Sequence, residues 1–265
     1  MRKVVTRARA VLGELPPIRA ARARLAEHRF LRRPGSFRGV YPTFDEARRF
    51  APMGVRLGYD HPESAQMYRD QLDRVATTDY PHLFWLSRLL PDCTRVFDFG
   101  GHVGLSFYAY RRYLTYPALL RWTVCEVPAV AEEGARLAAE KREQQLSFTT
   151  RIDNADGAEV FIALGSLQYV EEPLWIALSR LQRKPPHLLL SRMPLTEGAS
   201  FVTLQNTLHS YNPYRVQNRG ELVTQLERLG YDLVDCWQDL ERSCILPLDP
   251  GRSVLSYSGL YLRLR

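Results

Sequence analysis

The chain of 265 residues lacks any run of about 18 uncharged apolar residues, so no membrane-spanning helix is expected. Its start, Met1-Arg2-Lys3, is not followed by the apolar stretch of a secretory signal, because Arg7, Arg9 and Glu14 interrupt it. Cysteine is scarce: four residues, at 93, 125, 236 and 244, with no C-x-x-C pair and no histidine cluster at zinc spacing. These thiols read as core packing in a reducing cytosol, with no metal site and a cytoplasmic location. The dinucleotide fingerprint G-x-G-x-x-G is missing too, which argues against a nicotinamide-dependent oxidoreductase.

What the chain does have is an uneven charge. Residues 1–50 hold 13 Lys and Arg against 4 Asp and Glu, whereas the whole chain has 36 against 29. The net +7 therefore belongs to an N-terminal arm, and the remainder is slightly acidic. Within the arm, Val4, Ala8, Val11, Leu12 and Leu15 recur at helical spacing up to Pro16-Pro17, and a second helix fits Ile18–Leu31. Two readings of this arm stand: arginine-coated helices packed on the domain, or a basic amphipathic segment for an anionic membrane face, a partner or nucleic acid.

Residues 36–60 carry turn residues and aromatics, and 62–90 read as helical. After Pro91 strands and helices alternate. Strands are expected at Arg95–Phe99, Arg121–Val127, Leu146–Thr150, Glu159–Leu164, His187–Arg192, Tyr231–Cys236 and Ser256–Arg263. Helices are expected near Leu105–Leu114, Val130–Gln145, Leu174–Arg183 and Gly220–Leu229. That order predicts an α/β, Rossmann-like, mostly parallel seven-stranded sheet whose last strand is antiparallel. The division expected is residues 1–90 as an arginine-rich helical extension or lid and 91–265 as the α/β domain.

The segment Val96-Phe97-Asp98-Phe99-Gly100-Gly101-His102-Val103-Gly104 joins an apolar strand, an acid, a glycine-rich bend and a helix. Glycines there permit a sharp turn and close approach of the backbone to a ligand at the carboxyl edge of the sheet. Glu126 closes the next strand about 20 residues further on, where a carboxylate is placed to accept ribose hydroxyls. Gly100, Gly101 and Gly104 resemble the D-x-G-x-G-x-G turn of S-adenosylmethionine-dependent methyltransferases, with His102 at the central glycine position. The competing reading is a tight strand-to-helix connection with no ligand.

More widely, the chain resembles a family of bacterial methyltransferases from gene neighbourhoods rich in surface-polysaccharide and other secondary biosynthesis. The carriers are Phe37, Gly39, Tyr41, Phe44, Glu46-Ala47 and Gly58-Tyr59-Asp60, then Phe97 to Gly101 and Trp122 to Glu126. Gly165-Ser166-Leu167-Gln168-Tyr169, Arg192-Met193-Pro194, Gln205 and Gly230-Tyr231 complete them. The resemblance implies a class I fold and S-adenosylmethionine as cofactor, with S-adenosylhomocysteine as product. It implies no particular substrate; a small molecule or sugar-containing intermediate methylated on O or N is the expectation.

The cofactor-binding candidates are thus Asp98, Gly100, Gly101, His102, Gly104, Glu126, Gly165 and Ser166. Gln168, Tyr169 and Arg192 are candidates for the acceptor, Arg192 for an acidic group on it. The dense polar-aromatic stretch 205–214 adds Gln205, Tyr211 and Tyr214 as a pocket wall, or alternatively a surface loop. Its Asn212-Pro213-Tyr214 lacks the second proline of the N-P-P-Y loop of base-amine methylases and follows the fifth strand, not the fourth. His102, Tyr169 and His209 are candidates for a general base. Alternatives are a binding protein that keeps the pocket without catalysis, and a basic RNA-binding methyltransferase.

Overall fold

The computed structural model describes residues 16–265 apart from 68–70 and 208. The helical pattern expected over 4–15 lies outside the described residues. Eleven strands run in chain order: β1 (Phe37–Tyr41), β2 (Arg95–Phe99), β3 (Arg121–Cys125), β4 (Leu146–Thr149), β5 (Val160–Leu164), β6 (His187–Met193), β7 (Leu195–Thr196), β8 (Phe201–Asn206), β9 (Tyr211–Asn218), β10 (Tyr231–Asp239) and β11 (Tyr257–Leu264). Seven of them form the main sheet in the order β10-β11-β6-β5-β2-β3-β4. Strands β2 to β6 pair in parallel, while β11 runs antiparallel to both β6 and β10.

This is the architecture read from the sequence, and the reason lies in side-chain alternation. Successive residues of a strand point to opposite faces, so a sheet covered on both sides needs continuous apolar runs. Val160, Phe161, Ile162 and Ala163 have no exposed surface, nor have Leu188, Leu189 and Leu190. Val96, Val160, Ile162 and Leu189 join one core, with Leu86, Phe107 and Tyr110 from the helices above it. Phe97, Phe161, Leu188 and Leu190 join the other, with Leu178, Leu222 and Leu226. Cys93, Cys125 and Cys244 are buried, and burial pushes each of these thiols up to about 12. Among the described residues no helix is long and apolar enough to cross a membrane.

The strand order reverses between the parallel β2 and β5: β3 and β4 follow on one side of β2, β6 on the other side of β5. The carboxyl ends of these two strands therefore open into the crevice where sheets of this kind hold ligands. Helix α1 (Pro16–Arg32), α2 (Phe44–Arg49), α3 (Pro62–Gln66) and α4 (Tyr80–Leu89) precede that centre. After β2 and β3 come α5 (Leu105–Tyr110) and α6 (Pro128–Glu140). The stretch 62–90 is broken rather than one helix, with a 3-10 turn at Thr77–Asp79 between α3 and α4.

A second sheet, β1-β8-β9-β7, was not legible. The β8–β9 hairpin pairs Phe201 with Val216 through Asn206 with Tyr211, and β1 adds to β8 antiparallel. Pro213 inside β9 and the polar Gln205-Asn206-Thr207 argue for a loop by composition. The apolar alternation that makes it a strand instead is buried by a separate core of Phe37, Phe201, Tyr214, Val216, Leu246 and Tyr257. The N-terminal ninety residues are accordingly not helical throughout, because Phe37–Tyr41 supplies an edge strand of this sheet.

Phe161 is fully buried and stacks on both Phe97 and Phe99. Phe161→Ala is expected to cost about 3–5 kcal/mol of unfolding free energy, read as a lowered urea midpoint at unchanged slope.

Candidate functional site

A cavity of about 1190 Å³ opens over the carboxyl ends of the main strands. Gly100 and His102 from the bend after β2, Glu126 after β3, and Gly165, Ser166, Gln168 and Tyr169 after β5 all line it. Arg192 near the end of β6, and Gln205 and Tyr214 from the second sheet, line it as well. Ligand pockets commonly run to about 300–1,000 Å³, so this space exceeds the needs of one small molecule.

The bend is fixed by its neighbours rather than by glycine content alone. A side chain at Gly100 would collide with Ser166, whose hydroxyl donates to the Phe99 carbonyl, and one at Gly101 would collide with the Asp98 carboxyl. His102 sits at φ 55°, the left-handed conformation that its place as the central residue of the bend requires. Its backbone N–H donates to Glu126 Oε1 at 3.1 Å, and the N–H of Val127 donates to Oε2 at 3.0 Å. Burial raises the Glu126 carboxyl above its usual range, and those two backbone donors partly oppose the shift. The carboxylate thus stands at the cavity wall with its orientation already set.

Asp98 is placed differently from the expectation. It has no exposed surface and does not line the cavity. Its Oδ2 accepts from Trp122 Nε1 at 3.2 Å and its Oδ1 has no partner. Any effect of Asp98 on a ligand runs through the bend it supports, as do those of Gly101 and Gly104, which are also absent from the lining. Gly104 has φ 93° and a Cβ there would press on Leu146.

Two of the three candidate bases lose support. His209 is exposed and outside the cavity, since it lies in the turn joining β8 to β9. His102 Nε2 donates to the Ser64 carbonyl at 2.7 Å, so that nitrogen keeps its proton, and burial lowers the ring's affinity for a second one. The contact ties α3 to the bend. Tyr169 remains in the cavity, its hydroxyl donating to Gln205 Oε1 at 2.7 Å. Tyr211 is not a wall residue: its ring lies 5.3 Å from that of Phe30 and its hydroxyl reaches the Leu31 carbonyl, which places it against α1.

Arg192 also has a left-handed backbone, φ 54°, and its Cβ packs beside Gly165. Its Nη2 donates to Asp79 Oδ1 at 2.6 Å, and Asp79 Oδ2 accepts from the Ala76 N–H. Asp79 lines the cavity and went unnoticed in the sequence, where an acid in a short turn carries no signal. Asp60 was seen only as part of a motif; it lines the same space and its Oδ1 accepts from Ala129 N–H at the start of α6. Gln168 is anchored by donating to the Gly165 carbonyl, leaving its Oε1 buried without a partner. The bonds from Asp60, Ser64 and Asp79 hold the segment before α4 over the carboxyl edge of the sheet.

Desolvation pushes the Asp98 carboxyl up to about 7; the Trp122 N–H partly opposes this and nearby Glu126 adds to it. An unfolded aspartate titrates near 4, so the folded chain binds an extra proton between these values. That contribution to stability is complete below about pH 4, is lost as pH rises to about 7, and is flat above. Asp98→Asn is expected to remove this slope, so that the difference in unfolding free energy between wild type and variant changes by roughly 3–4 kcal/mol from pH 4 to pH 8. Parallel pH curves for the two chains would contradict it.

No protein-family profile matches the chain, and no curated protein sequence matches it. Among solved structures it is similar to magnesium protoporphyrin IX methyltransferase (ChlM) from Synechocystis PCC 6803 with bound SAM, at 12% identity and a TM-score of 0.49, covering 78% of this chain and 93% of that one. The N-terminal domain of EvdMO1 with SAH bound is similar at 14% identity and a TM-score of 0.47, covering 72% and 83%. The 1,6-didemethyltoxoflavin-N1-methyltransferase of Burkholderia thailandensis is similar at 17% identity and a TM-score of 0.44, covering 81% and 94%. Likeness of that degree assigns no chemistry to this chain.

Proposed function

We propose that the chain is an enzyme that transfers a methyl group from S-adenosylmethionine to an oxygen or nitrogen of a small-molecule acceptor. The observation that carries this is the convergence of the Gly100–His102 bend and the Glu126 carboxylate on one cavity at the switch point of the sheet. The residues fit an adenosyl ligand. Glu126 offers a preset carboxylate for two ribose hydroxyls, and the backbone at Gly100 lies open to the cavity beside Ser166. Gly165 and Ser166, across the switch point, leave room for the sulfonium end. The large cavity then has space for an acceptor next to Gln168, Tyr169, Arg192, Gln205 and Tyr214.

A bound sulfonium supplies a methyl group already activated toward nucleophiles. The protein's contribution is alignment of the acceptor atom and exclusion of water, which is mainly a matter of positioning. The described residues around Asp60, Ser64 and Asp79 serve as the cover, held down through these three. Small Gly165 and the αL backbone of Arg192 bring the ends of β5 and β6 together under the acceptor.

Glu126→Ala is expected to weaken binding of S-adenosylhomocysteine tenfold or more, about 1.4 kcal/mol or above, in calorimetry on the full chain. A wild-type chain that does not bind this product, or a variant that binds it equally well, removes the assignment.

A further inference from the structure

We propose that the acceptor is a planar aromatic hydroxyl compound, a phenol in the broad sense, rather than a sugar. This rests on the methyl-transfer reading and narrows it. Four rings form a continuous edge-to-face chain at the cavity wall: Tyr59 to Tyr169 at 5.0 Å, Tyr169 to Tyr214 at 5.1 Å, and Tyr214 to Phe37 at 5.0 Å. All four line the cavity, and Tyr59 and Tyr169 are the half-buried pair, braced from behind by the buried Tyr214 and Phe37.

The hydroxyls of Tyr169 and Tyr214 turn to protein partners. Tyr169 donates to Gln205 Oε1, and Tyr214 donates to the Tyr257 hydroxyl at 2.8 Å. What Tyr169 and Tyr214 offer an acceptor is therefore ring carbon. A sugar pressed on it would desolvate several hydroxyls without partners, at about 1–3 kcal/mol each. An aromatic ring there desolvates only carbon and adds edge or offset contacts of about 0.5–1.5 kcal/mol per ring pair.

Charge points the same way. Arg192, the arginine nearest the ends of β5 and β6, is neutralised by Asp79, and at the walls Arg48 and Arg242 are paired with acids. Arg74 stands at the exposed rim. Among the described lining residues the arginines other than Arg74 are compensated, so none calls for an anionic acceptor, and Gln168 and Gln205 offer hydrogen-bonding groups to a neutral hydroxyl. In the transfer the phenol oxygen's lone pair forms the O–CH3 bond, the C–S electron pair goes to sulfur to leave the neutral thioether, and the phenol proton passes to solvent.

The test is calorimetry on the full chain with and without saturating S-adenosylhomocysteine, using 2,3-dihydroxynaphthalene and methyl α-D-glucopyranoside as probes. The naphthalene is expected to bind below about 1 mM and the glucoside not at all. Tyr169→Leu and Tyr59→Leu should each weaken naphthalene binding tenfold or more. Tyr169→Phe, which keeps the ring and loses the Gln205 bond, should stay within about threefold. S-adenosylhomocysteine affinity should be unchanged in all three variants, which reports an intact fold. Glucoside binding, no binding of either probe, or naphthalene binding indifferent to both leucine variants overturns the proposal. Failure of the wild type to bind S-adenosylhomocysteine is a separate outcome and removes the methyl-transfer reading instead.

Discussion

The bend between β2 and α5 is held by two carboxylates with opposite surroundings, and the arrangement of the cavity follows from them. Glu126 faces the cavity and accepts the backbone N–H of His102, which joins the end of β3 to the bend. Asp98 lies beneath, tight against Gly101, in the company of Trp122. Removing water from a carboxylate is costly unless donors replace it. Glu126 has two backbone donors and Asp98 has one indole N–H, which is why burial shifts Asp98 so strongly. The upper acid is thereby ready to accept hydrogen bonds from a ligand, whereas the lower one is protonated easily and acts as a wedge under the backbone.

The left-handed backbone at His102 belongs to the same constraint. Glycine would adopt φ 55° without steric cost, and a histidine there costs on the order of 1–2 kcal/mol. The compensation is visible: the side chain reaches the Ser64 carbonyl and fastens α3 to the bend. The departure from an all-glycine pattern is therefore a link between α3 and the bend. Arg192 repeats the device at the end of β6, where a second left-handed residue sends its guanidinium to Asp79 in the cover.

The main sheet was legible because its strands are buried on both faces and so read as unbroken apolar runs, such as Val160 to Leu164. Strand ends carrying Asp98 and Glu126 stood out for the same reason, an acid closing an apolar run. The second sheet was hidden because β9 contains Asn212, Pro213, Arg215 and Gln217, residues that signal a loop until the packing of Tyr214 and Val216 is known. The roles of Asp60 and Asp79 were equally hidden, since each acts across a sequence gap that leaves no local pattern. Misjudged outright were His209 and Tyr211: a residue's chemistry was visible, but not whether the hairpin would point it inward.

This division between legible and hidden elements coincides with a division of work. The main sheet supplies the Gly100–His102 bend and the Glu126 carboxylate that line the cavity, with Asp98 buried beneath the bend, at positions that follow from strand order. The second sheet and the stretch before α4 supply other parts of the cavity lining, Gln205 and Tyr214 from the one and Tyr59, Asp60 and Asp79 from the other. Tyr169 sits where the two meet: it follows β5 in the main sheet, yet its hydroxyl is held by Gln205 of β8 and its ring by Tyr59 and Tyr214. On the proposed reading, an acceptor resting on that ring would be located relative to the Gly165–Ser166 edge through the short stretch from Ser166 to Tyr169. On that reading, orientation of an acceptor toward the donor would be as rigid as the link between Ser166 and Tyr169, a single 3-10 turn closed by the Tyr169 N–H on the Ser166 carbonyl.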